Sequence, residues 1–429
     1  MDWSPPERLP LALPGPWPAC AQGLLRAGAA WLHTGSGRPD EAGGDLLGLP
    51  GGPVLETRWT GARWETYRDG RPVPGSPWEA LAAFRREGLP LLGAATFELA
   101  CAEAGHAHQP PPAGALGQRW MGLRLALRVR AGQAEWWRWE GAPDPPHLGS
   151  ACALGRLGFT LEPAWTEARH AAAVREAQAH IHEGDFYVAN LCLPFEGPFA
   201  GDPVTLALAA FRRARPPFGA FLPWGDPTLL CLSMERLLAR RGDRLWTEPI
   251  KGSVPLDAAP GVLAADPKEK AEHTMIVDLQ RNDLGRVALP GTVTVPRLRE
   301  EEDHATVRHL VSRVEGRLRP GVDLPALLRS LLPGGSVTGA PKHAVCAWLA
   351  ATEAGPRGFY CGALGWIHPD GDFDLCMPIR TAQLQGDRLT YWAGGGLTRR
   401  SEPGREWAEL HLKTRALREA LPPVGGPRS

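Results

Sequence analysis

Five apolar stretches read as β-strands: Leu91 to Leu99, Trp120 to Val129, Asp185 to Phe195, Leu229 to Leu238 and Arg388 to Trp392. Turns rich in Pro and Gly keep them apart, and this punctuation most limits the folds open to the chain, because each strand must find partners that cover its edges. Helical periodicity appears between the strands. Trp165 to His182 alternates as an amphipathic helix ending at Gly184, and Asp266 to Leu284 carries Met275, Ile276 and Leu279 on one side. Residues 1 to about 60 read as turns and short strands without a legible function, and His106 and His108 fall in a loop between strands. The Pro/Gly stretch from Pro143 to Gly158 separates an N-terminal region, 1–158, from a catalytic region, 159–420, followed by a flexible tail, 421–429.

The chain has 429 residues, 43% of them apolar and 22% charged, with a formal net charge of zero, so it is an ordinary globular protein with ample core. It has no basic block and no basic stretch interleaved with aromatics. Nucleic acid and anionic membrane surfaces are therefore poor partners, and a small molecule is the better one. The N-terminus lacks the basic segment and apolar core of a secretion signal, and no apolar run approaches a membrane span. Eight scattered cysteines, with neither CxxC nor framework spacing, read as free thiols of a reducing cytoplasm.

Only five of the 47 basic residues are lysine: Lys251, Lys268, Lys270, Lys342 and Lys413. A lysine kept in such a chain is either a solvated charge or a position that needs an amine able to lose its proton and attack carbon. Lys251 lies in a bend, Glu248-Pro249-Ile250-Lys251-Gly252-Ser253-Val254-Pro255. Sixteen residues earlier, Glu235 is flanked by Leu230, Leu232, Leu237 and Leu238. It is either an exposed edge carboxylate beside Arg236 or a desolvated one whose raised pKa suits a general acid. Glu269 and Glu272 stand one helical turn apart, and Glu406 and Glu409 repeat that spacing, with Lys413 one turn further on. Each pair alone is an ordinary solvated face; facing each other, the two would form an oxygen-rich site suited to Mg²⁺. Two glycine-rich turns lie between the pairs. Leu331 to Lys342, which includes Thr338, runs into a helix near Pro341, where a helix N-terminus receives anions; Ala393-Gly394-Gly395-Gly396 lets a carboxylate approach its backbone. The order GxxxxGK[ST] is absent, which excludes a P-loop. Arg380, read on a preceding strand, is either a bidentate carboxylate clamp or one more surface arginine.

Taken together, the motifs resemble those of the chorismate-utilising enzymes, and within them the aminodeoxychorismate synthases. The matching stretches are Gly184 to Tyr187 with Asn190-Leu191, Ser233 to Leu237, the Pro249-Ile250-Lys251-Gly252-Ser253 turn, and Glu272 to Asp278 with Arg281 to Leu284. Pro333 to Lys342, Tyr360 to Gly362, Ile379 to Thr381 and Gly394 to Glu409 complete them. The resemblance implies an α+β fold of two large, mainly antiparallel β-sheets packed as a sandwich with surrounding helices. It also implies a buried site with one Mg²⁺, held by Glu272 and Glu409 with Glu269 and Glu406 nearby. The ring carboxylate of chorismate would meet the metal and the Gly252-Ser253 turn. Its enolpyruvyl carboxylate would meet Tyr360, Arg380 and the amides of Gly394 and Gly395, with Thr338, Lys413 and the site histidine His309 also in contact with substrate. Lys251 would attack the ring at C2 while Glu235 protonates the C4 hydroxyl. Anthranilate synthases look like PIAGT in this turn, so Lys251 separates the two reactions; anthranilate formation and a chorismate-binding subunit without turnover are the competing outcomes.

The chain departs from the family pattern at Val188 and Leu193, where relatives carry glutamines. Isochorismate-forming relatives carry a water-activating lysine at the position of Val188, so that branch is disfavoured. An inhibitor motif resembling LLES is not evident, so no tryptophan feedback is expected. The sequence has no glutaminase nucleophile turn and no lyase segment. The resemblance therefore implies a separate glutamine amidotransferase subunit that supplies ammonia, and a separate lyase on the way to 4-aminobenzoate and folate.

Overall fold

The computed structural model describes residues 5–15, 17–33, 44–149, 154–304 and 307–419, without the side chains of Ser253, Lys268 and Ala416. The tail expected at 421–429 lies outside the described residues. Two antiparallel sheets, one of 13 strands and one of 12, form the sandwich that the resemblance implied. Each sheet draws strands from both ends of the chain: Glu7–Leu11 and Arg388–Leu397 lie in the larger, Val54–Trp59 and Phe373–Cys376 in the smaller. The sheets meet through Ala30, Ala220, Leu229 and Cys231 on one side and Leu92, Ala94, Leu364 and Cys376 on the other. Helices Glu167–Glu183, Pro203–Ala214 and Pro403–Arg418 cover the outer face of the larger sheet; Pro77–Arg85, Pro267–Gly285 and Leu324–Leu331 cover that of the smaller. No described helix is long and apolar enough to cross a membrane.

Helix termini follow local chemistry. Thr166 caps Glu167–Glu183 with its side chain, and Gly184 ends it at φ 90°, a left-handed conformation that favours glycine. The helix expected at 266–284 is Pro267–Gly285.

Several strand expectations need correction. The stretch 120–129 is not one strand: Leu116–Gly122 belongs to the smaller sheet and Leu125–Arg130 to the larger. The stretch 229–238 is likewise divided into Thr228–Ser233 in the larger sheet and Arg236–Arg241 in the smaller, with Met234 and Glu235 as the joint. An apolar run gives no sign of such a corner, because both arms remain buried. Leu91–Ala95 stops early because Thr96 accepts a hydrogen bond from Leu99 N–H at 3.2 Å and starts helix Phe97–Glu103. Arg380 is not on a strand; it sits in the crossing between Phe373–Cys376 and Thr381–Gln385. Nor is Gly394-Gly395-Gly396 a turn. It continues strand Arg388–Leu397, with Gly394 opposite Cys192, Gly395 opposite Leu191 and Gly396 opposite Asn190. Glycine is required there by close approach, since a Cβ on Gly394 would collide with Cys192 Sγ.

Candidate active site

The corner at 234–235 places a carboxyl between the sheets. Glu235 is 5% exposed; its backbone N–H donates to Ser233 Oγ at 3.2 Å, and its carbonyl accepts from Met377 N–H at 3.1 Å. Ser233 Oγ in turn donates to Met377 carbonyl at 2.6 Å, so this corner is fastened to the one that carries Arg380. Burial pushes Glu235 up to about 7; a hydrogen bond from Ser336 and the charge of Lys251 restrain the shift without cancelling it. Of the two readings open for this residue, the desolvated carboxyl is the one observed.

Lys251 lies on strand Ile250–Pro255, which pairs with Val307–Arg317. The expected bend is a break in register between Lys251 and Val254, with Gly252 at φ 69°. Lys251 Nζ donates to the Ser336 carbonyl at 3.4 Å and lines a cavity of about 10 Å³ with Val188, Asn190, Glu272, Thr338 and Gly396. A Cβ on Gly396 would stand 3.8 Å from Nζ, which puts the end of the glycine strand beside the amine.

The two glutamate pairs reach this neighbourhood from opposite helices. Glu269 Oε2 would lie 2.9 Å from a Cβ on Gly252, and Glu406 Oε2 3.0 Å from a Cβ on Gly395; Glu272 is on the cavity wall. Glu409 is ion-paired with Lys413 at 2.6 Å, and Lys413 Nζ donates to the Gly394 carbonyl at 2.5 Å. Carboxylate oxygens without a thiolate are the donor type that a hard cation such as Mg²⁺ takes. Among the described residues, the single group of three or more ligands drawn close together is elsewhere, the surface set His180, Glu183 and Asp185.

His309 is buried, with Nδ1 2.6 Å from the Gly252 carbonyl, and burial lowers its pKa to about 3. The ring is therefore neutral, and because a carbonyl can only accept, the proton is assigned to Nδ1 and the lone pair to Nε2. Arg380, at φ 52°, donates from Nη1 to the Lys413 carbonyl at 3.3 Å, and Tyr391 OH donates to the same oxygen at 3.2 Å. Tyr360 stacks on Trp392 with centroids 6.1 Å apart, its hydroxyl 4.0 Å from Cys192 Sγ. Burial holds its phenol well above the ordinary value. Thr338 donates to the Gly334 carbonyl at 2.8 Å. Of the two glutamine replacements, Val188 faces the cavity and Leu193 lies in the core beneath the larger sheet.

Sequence reasoning missed two components. Ser336 donates to Glu235 Oε1 at 2.6 Å; it lay in a motif already singled out, but its partner is 101 residues away. Behind it, Arg357 is 1% exposed and donates to Glu353 at 2.7 and 2.9 Å, to the Val337 carbonyl at 2.7 Å and to the Asn190 carbonyl at 2.9 Å. Glu98 accepts the backbone N–H of Arg357 at 2.6 Å and of Gly358 at 3.1 Å, and burial raises it to about 7. The i, i+4 spacing of Glu353 and Arg357 was the available sign.

Residues 154–419 match the family model described as chorismate binding enzyme. The chain belongs to the chorismate binding enzymes. It is 38% identical over 274 residues to aminodeoxychorismate synthase component 1 of Klebsiella aerogenes, covering 61% of each chain. It is also 38% identical over 277 residues to an anthranilate synthase component 1 of Haloarcula marismortui, covering 63% of this chain and 56% of that one. The matches thus span about three fifths of these relatives or less. The fold is similar to anthranilate synthase component I from Streptococcus pneumoniae TIGR4, with a TM-score of 0.75 at 24% identity, covering 86% of this chain and 92% of that one.

Size and chemistry point to different places in this chorismate binding enzyme. A cavity of about 1360 Å³ opens between the sheets around Trp137, Phe218, Arg128, Arg236 and Arg241, and none of the expected site residues lines it. The small cavity at Lys251 holds the amine, a carboxylate and the glycine backbone, and a reaction site is identified by such groups and not by volume.

Proposed function

We propose that this chain is an aminodeoxychorismate synthase component I, converting chorismate and ammonia to 4-amino-4-deoxychorismate and water. The observation that carries the proposal is the pairing of a lysine amine, Lys251, with a buried carboxyl at about 7, Glu235, which feels the charge of Lys251 and shares Ser336 with it as a hydrogen-bond partner. A carboxyl in that range is available as an acid near neutral pH. Attack by neutral Lys251 forms a C2–N bond and shifts the ring double bond, while Glu235 gives its proton to the C4 oxygen, which leaves as water. Ammonia then adds at C4, the double bond returns, the C2–N bond breaks to release the amine of Lys251, and the proton shed by the new ammonium returns to Glu235.

The remaining residues bind and orient. Glu272 and Glu409, with Glu269 and Glu406, would hold Mg²⁺, which when bound supplies positive charge to the ring carboxylate. Arg380, Lys413 and the Gly394 carbonyl are linked by hydrogen bonds, Tyr360 reaches Cys192 opposite Gly394, and with the Gly395 backbone these would receive the enolpyruvyl carboxylate. Val188 on its wall offers no base to activate water, which supports amination over hydroxyl transfer. Ammonia would come from a separate glutamine amidotransferase subunit; the words component 1 in the relatives' names imply a second component of unstated kind.

The purified chain, given chorismate, Mg²⁺ and ammonium, should form 4-amino-4-deoxychorismate, identified by product mass. During turnover a chorismate-derived adduct should map to Lys251 and vanish in Lys251→Ala. Anthranilate as the product, or binding without turnover in folded protein, would reject the proposal.

A further inference from the structure

We infer that Ser336 is a positioning residue for this reaction, orienting the acid through its hydroxyl and the nucleophile through its carbonyl. The inference rests on the aminodeoxychorismate reading above. Ser336 Oγ donates to Glu235 Oε1 at 2.6 Å, and Ser336 O accepts from Lys251 Nζ at 3.4 Å. With Oε1 occupied as an acceptor, a neutral Glu235 carries its proton on Oε2, so the acid acts from one defined oxygen. An amine that directs an N–H at the Ser336 carbonyl turns its lone pair away from that carbonyl. Both reacting groups are thus oriented by one residue.

The same hydroxyl also acts along the reaction. As Glu235 passes its Oε2 proton to the departing oxygen and the C4–O bond breaks, Oε1 becomes part of a carboxylate. A hydrogen bond to an ionised acceptor is roughly twice as strong as one to a neutral acceptor. The Ser336 bond therefore strengthens as the reaction proceeds, which is the condition for an interaction to raise kcat.

The surroundings make Ser336 a fixed point. It is 4% exposed, in the turn Gly335–Val337. The next carbonyl, that of Val337, accepts from Arg357 Nη1 at 2.7 Å and Asn190 Nδ2 at 3.3 Å, and Thr338 ties back to Gly334. No Cβ fits at Gly335, where Leu279 packs against the backbone. The charged group that acts on Glu235 is Lys251 from strand Ile250–Pro255. Arg236 is engaged elsewhere, with Glu248 at 2.5 Å and Asp374 at 3.0 Å.

The test compares the full chain with Ser336→Ala and Ser336→Thr, using chorismate, Mg²⁺ and ammonium across pH. Ser336→Ala should lower kcat by about ten- to a hundredfold with little change in KM. Because the lost bond favoured the ionised carboxyl, the alkaline limb of kcat should move to higher pH, and Ser336→Thr should restore both rate and limb. Difference infrared spectroscopy of the substrate-free protein, with Glu235→Gln identifying the carboxyl band, gives a readout independent of turnover. The titration midpoint of that band should move up in Ser336→Ala. An active wild type whose Ser336→Ala variant leaves limb and midpoint unmoved overturns the role of Ser336 alone. A wild type that makes no 4-amino-4-deoxychorismate overturns the reaction reading and this role with it.

Discussion

Arg357 provides the most demanding test of how the site is held. It is 1% exposed, lies over the Phe97 ring at 4.4 Å, and its guanidinium makes four hydrogen bonds: two to Glu353 and one each to the carbonyls of Val337 and Asn190. Replacing it with Met leaves Glu353, itself 8% exposed, with the Cys192 N–H at 2.8 Å as its remaining recorded donor. Removing one partner of a buried ion pair costs about 3–5 kcal/mol, and each orphaned carbonyl adds about 1 kcal/mol or more. Val337 keeps the bond from Asn190, and the losses share one network and do not add fully, so Arg357→Met should destabilise by about 4 kcal/mol. Arg357→Met with Glu353→Leu removes the stranded charge as well, and should recover roughly half of that loss. Urea unfolding followed by tryptophan fluorescence measures both. A single variant within about 1 kcal/mol of wild type, or a double variant no more stable than the single, would refute this account of the strut.

Three further outcomes follow from the geometry. Gly394→Ala should lose about 1–3 kcal/mol in urea unfolding through collision with Cys192 Sγ, and Cys192→Ala added to it should return more than half of that; equal losses in both would refute the collision. Gly396→Ala, whose new methyl meets Lys251 Nζ at an ordinary 3.8 Å, should unfold like wild type yet lose about tenfold or more in kcat/KM, since the methyl fills space beside the amine that the reacting ring must approach. For Glu235, the folded chain keeps a proton up to about pH 7 that an unfolded glutamate releases near 4.5, so stability falls as pH rises through that window. Glu235→Gln should therefore be inactive but gain up to about 3 kcal/mol on wild type at pH 8 and almost nothing at pH 4, and a gap that does not change with pH would show that burial is not the cause.

The parts of this molecule that could be read in the sequence are those where function fixes local chemistry. Lys251, the two glutamate pairs and the glycines stood out because each needs an unusual residue type within a few positions. Corners were not legible. The runs 120–129 and 229–238 carry apolar residues on both arms while the chain passes from one sheet to the other, and periodicity reports burial but not the sheet that provides it. Three consecutive glycines suggested a turn because glycine is most often placed by backbone freedom; here Cys192 excludes a side chain at Gly394 and Glu406 crowds Gly395. Ser336 and Arg357 act through partners fixed by the assembled sandwich, such as Glu235 and Asn190, and spacing along the chain does not report those contacts.

Those corners also explain why the chemistry sits where it does. A residue inside a ladder commits its N–H and carbonyl to neighbouring strands and alternates its side chain between two faces. At a crossing, backbone groups leave the ladder inside the protein and must find other partners. Here the two crossings serve each other: Ser233 Oγ donates to Met377 carbonyl, Met377 N–H to Glu235 carbonyl, and Leu232 N–H to Arg380 carbonyl at 3.0 Å. With the backbone satisfied in this way, Glu235 and Arg380 are free of the pleat and point in directions that strand residues cannot. The corner also leaves Glu235 between two apolar sheets, which is the burial that raises its pKa. The position of the acid and its protonation thus have the same physical origin, and moving the carboxyl along either strand would lose both.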